Sequence, residues 1–206
     1  TSSKSINENT TAIHTFSANE SVTWTLNGGA DASKFSINSS TGALTFSSAP
    51  DYESPTDTNS NNDYVVVVRA TDSSSNTSDQ TLTVSISDVD EVSPSLSSSS
   101  PADNATAITI NSNIVLTFSE AVDVESGNIL IKKSTDNSTV ESIDVTSSQV
   151  TGSGSTQITI NPSSDLDSST QYYVQIPTTA FDDPSGNSYI GISDTTSLSF
   201  TTADVI

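Results

Sequence analysis

Short runs in which apolar and polar residues alternate recur along the whole chain. Val22, Trp24 and Leu26, for example, are separated by Thr23 and Thr25. A period of two puts every second side chain on one face, which is typical of half-buried β-strands. The same pattern predicts strands around Phe35 and Ile37, Leu44 and Phe46, Tyr64 to Ala70, Leu82 to Ile86, Ile108 and Ile110, Ile114 to Phe118, Ile129 and Ile131, Ile158 and Ile160, Tyr172 to Ile176, and Leu198 and Phe200. No run has the spacing and caps of a helix, so the pattern predicts an all-β protein.

The strand pattern is interrupted once, near Glu91. Pro94 and a run of four serines at 97–100 follow, and the alternation then restarts. The blocks on either side have about 90 and 115 residues, and each length suits one antiparallel sandwich. We therefore predict two tandem antiparallel Greek-key β-sandwiches, residues 1–92 and residues 93–206.

Composition removes several classes of function. The chain has 25 Asp or Glu against five Lys or Arg, a formal charge of −20. This balance excludes a nucleic-acid partner, which requires a basic surface, and no apolar run approaches the length of a membrane span. The absence of Cys excludes disulfides and thiolate zinc sites. Thr1 to Lys4 do not resemble a signal peptide, so we expect an internal piece of a longer chain.

About half of the acidic residues of the first block lie at strand ends. A large excess of negative charge repels itself unless cations neutralise it, and Ca²⁺ takes six to eight oxygen ligands from carboxylates and carbonyls. In a seven-strand sandwich several of these loops can meet at one end, next to the linker. The predicted calcium ligands in this block are Glu8, Asp51, Glu53, Asp72, Asp88, Asp90 and Glu91.

The same residues resemble the motifs of the cadherin-type repeat in its bacterial form, over roughly residues 1–92. Asn7-Glu8-Asn9 is similar to the acidic first-strand motif, Asp51-Tyr52-Glu53 to Asp-Arg-Glu, and Ala70-Thr71-Asp72 to Ala-x-Asp. Asp88-Val89-Asp90-Glu91 is similar to the Asp-x-Asn-Asp-Asn linker, although Asp90 stands where Asn is usual and Glu91 where Asp is usual. The resemblance implies calcium at the junction with the next domain, with the Val89 carbonyl among its ligands.

The second block resembles a bacterial Ig-like domain of surface-layer and giant adhesin proteins. The resemblance rests on segments 100–105, 114–122, 127–129, 172–174, 183–187 and 200–202. Asp103 lies close to the linker and is predicted to complete the interdomain calcium site. Two loops, Asp57 to Asp63 and Asp182 to Asn187, have oxygen-rich side chains and are open to two interpretations, a further calcium loop or a solvated turn.

No combination of residues predicts catalysis. The single His14 lies near a strand, and Ser153 in Gly-Ser-Gly lacks the following helix that a nucleophile elbow requires. We expect a calcium-rigidified, non-catalytic extracellular module at the bacterial cell surface, from a giant repeat-in-toxin (RTX) adhesin of the kind that includes ice-binding adhesins. Its expected partners are neighbouring domains of the same chain. The alternative is a calcium-dependent module that binds a surface glycan or peptide.

Overall fold

The computed structural model describes residues 2–205. The chain divides into two compact units between Val89 and Asp90, three residues before the predicted boundary. Within the described residues the only helical element is a short 3-10 helix, Ala32–Lys34, and the other named elements are strands. The prediction of an all-β fold is confirmed.

The first unit has seven strands in two sheets. They are β1 (Ser2–Asn7), β2 (Ala12–Thr15), β3 (Val22–Leu26), β4 (Phe35–Ile37), β5 (Ala43–Phe46), β6 (Asp63–Asp72) and β7 (Thr77–Ser87). One sheet has the order β1-β7-β6-β3, and the other has the order β2-β5-β4. Both sheets contribute to one apolar core, which includes Trp24, Leu44, Tyr64 and Val84. The alternation of apolar residues seen in the sequence is therefore the alternation between core and solvent.

The second unit has ten strands. They are β8 (Leu96–Ser100), β9 (Ala105–Ile108), β10 (Ile114–Val124), β11 (Asn128–Lys133), β12 (Thr139–Asp144), β13 (Val150–Thr151), β14 (Ser155–Ile160), β15 (Gln171–Gln175), β16 (Phe181–Asp182) and β17 (Ser199–Thr202). One sheet joins β13-β14-β10-β16 with β8 beside β10, and the other has the order β12-β11-β15-β17-β9. Their shared core includes Leu116, Ile131, Tyr172 and Phe181, which are almost fully buried.

Two features of the sheets differ from the predictions. The serine run 97–100, which reads as part of a linker, belongs to β8 and pairs with β10. The sandwiches are also not purely antiparallel, because β1 runs parallel to β7 and β9 runs parallel to β17. The alternation pattern gives no strand direction, so the sequence could not reveal these parallel pairs.

Candidate metal centres

The first candidate centre lies in the first unit and consists of Glu8, Asp51 and Glu53, which we call the Glu8 cluster. One carboxylate oxygen from each residue lies within 4.8 Å of the others. Glu8 is only 2% exposed, whereas Asp51 and Glu53 are exposed. The structure therefore brings together three of the acids that the sequence predicted as calcium ligands.

Backbone amides from two distant segments fix the position of the Glu8 carboxylate. Its Oε2 accepts a 2.7 Å hydrogen bond from the amide of Tyr52, and its Oε1 accepts one of 2.9 Å from the amide of Val89. The amide of Glu8 itself donates to the carbonyl of Ser87. The Asp51 carboxylate accepts from the amide of Ser54 and shapes its own loop. The end of β1, the loop around residue 52 and the segment after β7 are thus tied together at one carboxylate.

The chemistry of the Glu8 cluster suits a hard cation. Each carboxylate oxygen has two lone pairs, so the hydrogen bonds to Glu8 leave acceptor capacity unused. Calcium–oxygen distances of about 2.3–2.6 Å allow ligands on opposite sides of one ion to be about 5 Å apart. The observed separations fall within that limit. All three donors are carboxylate oxygens, which are the ligands that Ca²⁺ prefers.

The second candidate centre lies in the second unit and consists of Asp90, Glu120 and Asp183, which we call the Asp183 cluster. One carboxylate oxygen from each residue again lies within 4.8 Å of the others. Asp183 is buried, Glu120 is half-buried and Asp90 is exposed. The separations and the all-carboxylate donor set meet the same requirements for a hard cation.

The loop after β16 holds Asp183 in place. Its Oδ1 accepts 2.8 Å hydrogen bonds from the amides of Ser185 and Asn187, and the Asn187 side-chain amide donates to its Oδ2 at 2.9 Å. The same Asn187 side chain also donates to the carbonyl of Asp90 at 2.7 Å. Asn187 therefore positions two members of the Asp183 cluster.

Electrostatics distinguish the members of the Asp183 cluster. Burial raises the pKa of Asp183, but the hydrogen bonds from Asn187, Ser185 and Gly186 outweigh burial, and the net pKa is lowered. The pKa of Glu120 is raised, first by burial and then by the negative charges of Asp90 and Asp183. Like charges disfavour ionisation. The repulsion among the three carboxylates therefore contributes to the raised pKa of Glu120.

Asp72 requires a correction, because it does not join the Glu8 cluster. In the register of β6 with β7, Asp63 lies opposite Ser85 and Thr71 lies opposite Thr77. Asp72 is therefore at the far end of a ten-residue strand, about 30 Å away at 3.3 Å per residue. Its carboxylate accepts hydrogen bonds from Ser74 and Asn76 in the β6–β7 hairpin. The expectation that all these loops meet at one end is wrong for this loop.

The remaining predicted ligands have different environments. Asp88 and Glu91 are exposed, and Val89 contributes its amide to Glu8. Asp103 lies in neither cluster. Its Oδ1 accepts hydrogen bonds from the amide and the hydroxyl of Ser199, both at 2.9 Å. That contact connects the loop before β9 with β17 inside the second unit.

The two loops with open interpretations also differ from each other. In the first, the buried Asp57 carboxylate accepts the amides of Asn61 and Asn62, and Asn61 accepts the amide of Asp63. These oxygens thus serve the turn itself. In the second, the loop from Asp182 to Asn187 supplies Asp183 to a candidate metal centre.

Glu120 is the cluster member that sequence reasoning missed. It lies within β10, where Ile114, Leu116 and Phe118 occupy alternate buried positions. A carboxylate two residues after Phe118, on the same alternation, was the available signal. A search for ligands at strand ends passes over Glu120, because it lies inside a strand.

By its fold, the chain is of the class of tandem β-sandwich modules. Each sandwich carries a cluster of carboxylates from neighbouring loops and strands. Residues 90–202, more than half of the chain, match the family model described as "Bacterial Ig-like domain". The chain belongs to the bacterial Ig-like domain family. No match was found among curated proteins.

Solved cadherin structures are similar to the chain at low identity. Drosophila N-cadherin EC1-4 is 15% identical, with a TM-score of 0.40 over 98% of this chain and 47% of that one. Protocadherin Gamma B2 extracellular cadherin domains 3-6 are 12% identical, with a TM-score of 0.39 over 98% and 45%. Mouse Cadherin-23 EC22-24 is 15% identical, with a TM-score of 0.36 over 98% and 63%. The chain spans less than two thirds of each of these structures. Among residues 2–205, no helix is long and apolar enough to cross a membrane.

Proposed function

We propose that this chain is a non-catalytic, calcium-stabilised module of a large bacterial surface adhesin of the RTX type, located outside the cell. The observation that carries the proposal is the pair of carboxylate clusters, one in each unit, whose oxygens are close enough to share a cation. Membership in the bacterial Ig-like family supports an extracellular module. The partners in this proposal are neighbouring domains of the same long chain.

The Glu8 and Asp183 clusters involve two residues that are adjacent in sequence, Val89 and Asp90. Val89, the last residue of the first unit, is bonded to Glu8, and Asp90, the first residue of the second unit, belongs to the Asp183 cluster. Ordering each cluster would therefore restrain the chain on both sides of the 89–90 peptide. A bound Ca²⁺ supplies the positive charge that relieves carboxylate repulsion and adds stability through ligand linkage.

The size of the stabilisation follows from mass action. Extracellular calcium modules have dissociation constants of roughly 10⁻⁴ to 10⁻³ M. An ion present at about ten times its dissociation constant stabilises the folded state by about 1.4 kcal/mol per site. Such modules respond to the calcium concentration outside the cell.

Chelation of the full chain tests this proposal. We expect a lower melting temperature and a wider spread of interdomain angles in small-angle scattering after calcium removal. The double variant Asp51→Asn/Glu53→Gln should lose part of the calcium response while keeping Glu8. Asp165→Asn/Asp204→Asn is the matched control, because it removes the same charge at exposed positions outside both clusters. If chelation changes neither quantity, or if both double variants respond alike, the proposal fails.

A cavity beside the Glu8 cluster favours the second candidate function, binding of a surface glycan or peptide. This cavity, of about 480 Å³, is lined by Lys34, Phe46, Asp51, Thr56 and Tyr64 among others. It combines aromatic carbons, hydroxyl groups and one cluster carboxylate, which is the mixture that small-molecule sites use. Calcium-dependent binding on a glycan array, lost in Lys34→Ala, would favour this function over that of a spacer.

A further inference from the structure

Asn27-Gly28 is the only Asn-Gly pair among the 206 residues. It directly follows β3, and both residues are exposed. Gly28 has a φ of +118°, and a Cβ at this position would meet nothing within 4 Å. Because glycine has no side chain, no Cβ shields the backbone nitrogen of Gly28 from solvent.

The hydrogen bonds around this pair leave one backbone group unused. The Asn27 amide donates to the Val67 carbonyl at 2.8 Å, and the Val67 amide donates to the Gly28 carbonyl at 2.7 Å. Within residues 2–205, no hydrogen bond is made by the Gly28 amide. The peptide is thus anchored on both sides of a free N–H.

The Asn27 side chain belongs to a small charged network. Its Nδ2 donates to Asp79 Oδ2 at 3.1 Å, and Asp79 accepts two 2.7 Å hydrogen bonds from Arg69. Arg69 is the only arginine of the chain. The uncharged amide of Asn27 therefore donates to this carboxylate without placing a second negative charge beside it.

We propose that Asn27-Gly28 is a site of spontaneous deamidation. The products of this reaction destabilise the hydrogen-bond network of Asn27, Asp79 and Arg69. The Gly28 nitrogen, after loss of its proton to a base in solution, attacks Cγ of Asn27. The bond from Cγ to Nδ2 breaks, and the nitrogen leaves with a proton as ammonia. The resulting five-membered imide then takes up one water at either carbonyl and opens to aspartate or isoaspartate. No oxidant or reductant is needed.

Both products disturb the network. An aspartate at position 27 places a second carboxylate next to Asp79, where the amide now lies 3.1 Å away, and it would compete with Asp79 for Arg69. Isoaspartate adds a methylene to the main chain between the two hydrogen bonds to Val67. The backbone at Gly29 has little room to shift, because it packs closely against the backbone of Val65. A Cβ on Gly29 would lie 2.4 Å from the Val65 carbonyl oxygen.

The anchoring to Val67 sets the rate of this reaction. Ring closure requires Asn27 to rotate away from Asp79 and the peptide to turn, so it proceeds from locally opened molecules. The rate should rise with pH, because the attacking nitrogen must lose its proton.

Peptide mapping by mass spectrometry of the folded full chain, kept in mildly alkaline buffer, tests the proposal. We expect the mass increase of an amide-to-acid change to appear at Asn27 before any other asparagine, including the exposed Asn59. Asn27→Gln and Gly28→Ala should both suppress it at this position. Asn27→Asp, measured separately, should unfold at a lower temperature than the native chain. The proposal is overturned if Asn27 stays unmodified while other asparagines react, or if Asn27→Asp is as stable as the native chain.

Discussion

Glu8 and Asp183 are both buried carboxylates at the centre of an acidic cluster, but their hydrogen-bond donors come from very different distances along the chain. Glu8 is held by amides 44 and 81 residues away. Asp183 is held by amides two and four residues away, in its own loop. The geometry of the Glu8 cluster therefore depends on the whole first unit, whereas the centre of the Asp183 cluster is prepared locally by one turn.

The largest expected effect is the loss of the Glu8 carboxylate. Glu8→Ala leaves the amides of Tyr52 and Val89 without their acceptor, and each unpaired group costs about 1–3 kcal/mol. We expect the free energy of unfolding to fall by about 2–6 kcal/mol in total. Fluorescence of Trp24, the only Trp of the chain and part of the first core, reports this transition during urea unfolding. Glu20→Ala, at an exposed position, is the control, and an equal loss in both variants would contradict the role of Glu8.

Removal of the Asp183 carboxylate should have a smaller effect. In Asp183→Ala the unpaired amides belong to a short loop that can shift and bind water, so the expected loss is about 1 kcal/mol. Hydrogen exchange should increase mainly at residues 183–189. A loss as large as that of Glu8→Ala would show that the two clusters do not differ in the way described above.

Acid should destabilise both units through buried aspartates. In the first unit Asp31 is buried, which raises its pKa, but hydrogen bonds from Val65 and Thr58 outweigh burial and bring the pKa below the usual 3.8. The pKa of Asp183 is lowered in the same sense. A carboxyl group with a lowered folded-state pKa stabilises the fold above its unfolded pKa, and this contribution is lost as the pH falls through the folded pKa.

Urea unfolding between about pH 5 and pH 1 measures this loss. Asp31→Asn should flatten the pH dependence of the first unit, and Asp165→Asn should leave it unchanged. A pH dependence that is the same in native chain and Asp31→Asn would contradict the assignment.

The smallest expected effect is a stabilisation, produced by removal of the Glu120 charge. The pKa of Glu120 is raised by burial and by Asp90 and Asp183, so ionised Glu120 destabilises the second unit. In chelator, Glu120→Gln should therefore raise the melting temperature slightly, and in calcium it should reduce the gain that calcium gives. A lower melting temperature in chelator would indicate that the carboxylate stabilises the unit without an ion.

The contrast between local interactions and interactions of distant segments also explains which features could be predicted from the sequence. Leu82, Val84 and Ile86 are apolar at every second position, so β7 was recognisable, but β1 has Ile6 as its single apolar residue and forms by pairing with β7. Acids in loops next to strand ends, such as Asp51 and Glu53, were recognisable as candidate ligands. The separation of Asp72 from them depends on the length and register of β6, and the contribution of Glu120 depends on which strand lies beside the loop of Asp183. These are long-range facts that local patterns do not contain.

Calcium titration by calorimetry tests the central claim most directly. The native chain, Asp51→Asn/Glu53→Gln and Asp90→Asn/Glu120→Gln should be compared at the same protein concentration. Our account predicts that the native chain binds at least one ion for each of the two clusters and that each double variant loses only the binding of its own cluster. Absence of binding to the native chain at millimolar calcium, or unchanged binding in both variants, would contradict it.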